Sequence, residues 1–145
     1  MGRGSIETLE QELVPLALAN PGRPLYRKLL VEIYGQMSFG LVQKARLASG
    51  DESKKARETL EKIGSRAIKP LLDALADPDA SQQRTAIAVL GYVRNKNAAP
   101  ALFSYAEGAQ DPDLRVRAML ACGALGESSL VLVSGARHRR DRKLL

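Results

Sequence analysis

A block of this chain returns after thirty residues: Leu60, Ile63, Pro70 and Leu72 reappear as Leu90, Val93, Pro100 and Leu102. Further along, Asp77-Pro78-Asp79 returns as Asp111-Pro112-Asp113, and Leu90-Gly91 as Leu125-Gly126. A unit this short cannot enclose a core, so each copy must bury its apolar side against its neighbours. Apolar positions inside the units fall at helical spacing, as in Ile68, Leu71, Leu72 and Leu75. The expected fold is all-α, a right-handed α-solenoid of about four helical hairpins. A chain of this kind offers a long surface rather than a reaction centre.

Composition agrees. Trp is absent and aromatics make up only 4%, which favours close-packed helices over a β-sandwich. No apolar run approaches the roughly 20 residues that cross a bilayer. The mixed-charge stretch from Ile6 to Leu13 provides no signal-peptide core, and Ile6 stands where a myristoylation signal wants Ser or Thr. The single Cys122 has no internal disulfide partner, so a reducing, cytoplasmic setting is expected. The net charge of +6 is concentrated at the end, where Arg137, Arg139, Arg140, Arg142 and Lys143 face only Asp141. Positions 1–136 keep 17 basic and 15 acidic residues, and no basic stripe is expected on the folded body.

Along the chain, Ser5 is placed as the cap of a first helix carrying Ile6, Leu9, Leu13, Leu16 and Ala17, with a kink at Pro15. Pro24 opens a second helix bearing Tyr26, Leu29, Leu30 and Ile33, with Gly35 as its stop. A third covers about Met37 to Ala48. Asp51 caps a helix buried through Ala56, Leu60 and Ile63, and Gly64 ends it. The helix of Ile68 to Leu75 follows and breaks at Asp77-Pro78-Asp79, where Asp79 or Ser81 caps the next. That one buries Ala86, Leu90 and Val93. Leu102, Ala106 and Ala109, then Leu114, Ala118, Ala121, Cys122 and Leu125, repeat the pair. Three regions result: divergent helical hairpins over 1–50, regular repeats over 51–130, and an incomplete repeat with a basic, disordered tail over 131–145.

The stretch from Leu60 to Leu72, with Asp77-Pro78-Asp79 through Leu90-Gly91, resembles HEAT repeats, in particular the short ones of phycobilin lyases. The resemblance covers roughly Asp51 to Leu130. It implies a ladder in which an Asp of one turn meets an Arg of a second helix, with Asp79/Arg84 and Asp113/Arg117 at matching positions. It also implies a protein-binding scaffold or adaptor, with an accessory or enzyme of bilin-lyase type as the alternative.

No catalytic, cofactor or metal site is expected. The pairs Asp77/Asp79 and Asp111/Asp113 lack a nearby His or third carboxylate and suit capping. His138 is the only histidine, so no triad or multi-His site can form. Cys122 sits on an apolar stripe as a buried structural thiol. The expected site is a concave face about 30–40 Å long, lined by second helices and taking a partner helix or peptide. Its outward residues are Lys55, Glu58, Lys62, Gln82, Gln83, Tyr92 and Met119, with Tyr92 as the aromatic anchor. Nucleic-acid binding through the basic tail is the remaining alternative. The dissolving C-terminal repeat suggests either a shortened array or a self-association face.

Overall fold

A computed structural model of the chain describes residues 3–125. Among the described residues six α-helices follow one another: α1 (Arg3–Ala19), α2 (Pro24–Leu47), α3 (Asp51–Leu75), α4 (Ala80–Val93), α5 (Ala99–Gly108) and α6 (Pro112–Ala124). A single 3-10 turn, Lys96–Ala98, precedes α5, and there is no strand among the described residues. The helices pair as three hairpins, α1/α2, α3/α4 and α5/α6; α2 packs against both α3 and α4, and α4 packs in turn against α6. Leu71, Leu90 and Leu102 are fully buried, and one core runs from Leu13 to Leu125. This is an α-solenoid. A fourth repeat and the basic tail would fall outside the described residues.

The turns work as their residues dictate. Pro24 starts α2, where its missing N–H removes no helical bond. Asp79 caps α4 by accepting from the Ser81 backbone N–H at 2.9 Å, and Asp111 caps α6 by accepting from the Asp113 N–H at 2.9 Å. Two expected caps differ. Ser5 lies inside α1, which already begins at Arg3. Asp51 is the first residue of α3, and the cap is Gly50, whose φ of 63° suits a residue without a side chain.

Two expected breaks do not occur. Pro24–Leu47 is one helix through Gly35, and Asp51–Leu75 is one helix through Gly64 and Pro70. Both glycines serve packing, not termination. A Cβ at Gly35 would meet the Thr85 methyl at 3.4 Å, and one at Gly64 would meet Val93 Cβ at 3.1 Å. A helix tolerates an interior glycine, at about 1 kcal/mol, when it brings a neighbour close enough to bury more apolar surface. In α1 and α2, Leu9, Leu16 and Leu29 remain exposed while Leu13, Leu30, Val31 and Tyr34 are buried. Among the described residues α1 packs mainly on α2, which leaves its other side open.

Charged side chains join successive units. Asp77 is buried and pairs with Arg27 and, at 4.0 Å, Lys28, both on α2. Its Oδ1 also accepts from the Asp79 N–H at 2.8 Å, and these contacts hold its carboxyl below the ordinary range. Arg117 pairs with Asp113 at 2.9 Å as expected, but Arg84 reaches forward to Asp113 at 3.7 Å, leaving Asp79 to Lys28 at 3.7 Å. The ladder therefore runs from the second helix of one unit to the turn of the next.

At the other end Glu10 of α1 is buried between α2 and α3. It accepts from Tyr34 Oη at 2.8 Å, from Arg66 Nε at 2.7 Å and from Arg66 Nη2 at 2.9 Å. Burial alone would raise the Glu10 carboxyl, yet the hydrogen bonds from Arg66 and Tyr34 outweigh it and hold it below its ordinary value. Burial, with Glu10 alongside, pushes the Tyr34 phenol well above its own.

Two measurements check this packing. Gly64→Val drives a branched side chain into Val93 and should lower unfolding stability in urea by about 2–3 kcal/mol. Gly40→Ala, also within α2 but with nothing within 4 Å of the new Cβ, should raise it by about 0.5–1 kcal/mol. Because the folded Glu10 carboxyl is depressed, its contribution is complete above about pH 4.5 and lost as pH falls through the folded value. Glu10→Gln should therefore cost about 2 kcal/mol near pH 7, narrowing toward zero in acid, while a pH-independent cost would contradict the clamp.

Candidate functional site

A groove of about 590 Å³ opens on the side where α2, α4 and α6 lie next to one another. Val42, Ala45 and Arg46 of α2 and Arg57, Leu60 and Glu61 of α3 form one end. Arg84, Ile87, Ala88, Gly91, Tyr92 and Val93 of α4, with Arg94 just beyond it, run along the floor. Arg117, Leu120, Ala121 and Ala124 of α6 close the other side. Its depth comes from small residues: a Cβ at Gly91 would meet Ala121 Cβ at 3.4 Å, so α4 and α6 approach closely with little side chain above them.

Among the described residues five arginines line this groove against one carboxylate, Glu61. The expectation of a body without a basic stripe is overturned, since a near-neutral total conceals a segregated arrangement. Arg84 and Arg117 share Asp113. Among the described residues no carboxylate lies within 4 Å of the guanidinium of Arg46, Arg57 or Arg94. Arg94 is unusual in its backbone as well: it ends α4 at φ 53°, ψ 40°, the left-handed region. A side chain there costs roughly 1–2 kcal/mol, and Gly or Asn is the ordinary choice. Strain of this kind gathers at working positions.

The residues singled out from the sequence separate. Tyr92 is half-buried, lines the groove and meets Phe39 of α2 with ring centroids 6.4 Å apart. Met119 is exposed on α6 but does not line the groove. Lys55, Glu58 and Lys62 are exposed, but they belong to α3, the first helix of its hairpin, and do not line the groove. Gln82 is not outward-facing: it is 5% exposed, with Nε2 donating to the Lys28 carbonyl at 3.5 Å, because this face of α4 is covered by α2. Gln83 is half-buried between units, donating to the Asp77 carbonyl and accepting from Tyr105 Oη, both at 2.5 Å. Sequence reasoning missed the arginines. Arg84, Ala88, Gly91 and Arg94 share one helical face, but only the packing of α2 and α6 shows that this face is open.

The stacked hairpins, the Asp–Arg ladder and the groove on the second-helix side now stand together. A family profile of HEAT repeats matches residues 68–143, just over half of the chain. The chain belongs to the HEAT-repeat family. No curated protein shows significant similarity to it. The HEAT match begins within α3 and continues past the last described residue. Elsewhere in this HEAT chain Cys122 is buried, its thiol directed at the Ala99 carbonyl at 3.9 Å and pushed up by burial, away from thiolate chemistry. Among the described residues no group of three or more His, Cys, Asp or Glu side chains could hold a metal ion. No described helix is long and apolar enough to cross a membrane.

Proposed function

We infer that this chain is a non-catalytic, cytoplasmic protein-interaction scaffold or adaptor that receives a helix or peptide of a partner in the α2–α4–α6 groove. The observation that carries this reading is the groove itself, an apolar floor rimmed by charge and built from helices whose other faces are committed to the stack. HEAT repeats commonly serve as such scaffolds, and an amphipathic helix laid in an apolar groove is a recurring mode of recognition. Leu120, 69% exposed beside the groove floor, and Tyr92 are the contact points that fit it best.

The test is selection of helical peptides from a displayed library on the full chain. Recovered binders should lose at least about tenfold in affinity on Leu120→Glu, at unchanged unfolding midpoint, as expected for one buried hot spot. Binders indifferent to both Leu120→Glu and Tyr92→Ala would place the docking surface elsewhere.

A further inference from the structure

We propose that the occupant of the groove is an acidic amphipathic helix of a partner protein, with leucine-like side chains along one edge and carboxylates flanking them. This rests on the reading of the groove as a protein-docking site and adds the chemistry of what docks. Charge complementarity comes first: among the described residues Arg46, Arg57 and Arg94 have no carboxylate within 4 Å, and they line a groove whose one described acid is Glu61. A guanidinium presents its donors in a fork that matches a carboxylate bidentately. Arg94 adds an independent indication. It holds its cation at the groove from a left-handed position where glycine would be easier.

The floor decides between a peptide and a nucleic acid. Val42, Ala45 and Ala88, all half-buried, and the exposed Leu120 and Ala124 offer apolar contact and no hydrogen-bonding groups on their side chains. A phosphate backbone gains nothing there, and single-stranded bases would need stacking platforms. Tyr92 is the one aromatic lining the groove among the described residues, and its ring already meets Phe39. A helix meets both demands at once, leucines on the floor and carboxylates on the rim. Arg84 on α4 and Arg94 at its C-terminal cap are ten residues apart, about 15 Å, which matches roughly three turns of an opposing helix. The chain's own final residues, rich in Arg137, Arg139, Arg140 and Arg142, carry the wrong charge for this groove.

The experiment is fluorescence anisotropy on the full chain with three labelled probes. One is a helical peptide of about 16 residues, with Leu at i, i+3, i+4 and i+7 and Glu at the flanking positions. The second replaces each Glu by Gln, and the third is single-stranded DNA of about 20 nucleotides. The Glu peptide should bind about tenfold or more tightly than the Gln peptide, with the margin shrinking near 0.5 M salt. Arg46→Glu with Arg57→Glu should abolish the margin. Arg94→Gly should reduce it while leaving the unfolding midpoint unchanged or higher, an outcome that a damaged fold cannot produce. Equal binding of the two peptides, weakened alike by Leu120→Glu, overturns the acidic partner and leaves the docking groove in place. DNA binding more tightly than either peptide, and lost with the arginine variants, overturns both. No binding by the Glu peptide below about 1 mM also overturns the proposal.

Discussion

The close approach of α4 to its three neighbours is what the remaining structure depends on. Gly35 lets α2 meet Thr85 and Val89, Gly64 lets α3 meet Val93, and Gly91 lets α4 meet Ala121 of α6. Each contact sits where a side chain would hold the helices apart, and the large aliphatic residues beside it fill the interior. Leu71, Ile87, Val89, Leu90 and Val93 are all essentially inaccessible. Such a helix has no stable existence alone, and its fold is a property of the stack.

Packing and site share this cause. Small residues allow proximity, and where α4 meets α6 the same shortage of side chain leaves a trough. Ala88, Gly91, Ala121 and Ala124 line it, and arginines from four separate segments rise at its edges. The inter-unit ladder sets those edges, since Asp113 holds Arg84 and Arg117 on adjacent helices. In the first described hairpin the buried Glu10 and Tyr34 and the more exposed Arg66 tie α1 to α2 and α3, so polar groups fix the register of the helices while aliphatic ones supply the driving force.

Much of the fold is legible in the sequence because the thirty-residue period and the Asp-Pro-Asp turns act locally. Leu60, Leu71, Leu90, Leu102 and Leu114 are buried as their spacing requires. Gly35 and Gly64 mislead because a glycine that ends a helix and one that admits a neighbour look alike until the neighbour is present. Gln82 misleads in the same way: its helical position is polar, but α2 covers it. The site is less legible than the fold. Tyr92 can be picked out as an aromatic off the apolar stripe, whereas Arg46, Arg57, Arg84, Arg94 and Arg117 are dispersed over seventy residues. Counting charge along the chain averages them away, and only the side-by-side arrangement of α2, α4 and α6 assembles them.

Native-state hydrogen exchange followed residue by residue examines the centrality of α4 most directly. The amides of Ile87 to Val93 should be the slowest in the chain, opening only with global unfolding, while α1 exchanges sooner through local fraying. Protection in α4 no greater than in α1 would contradict a stack organised around this helix.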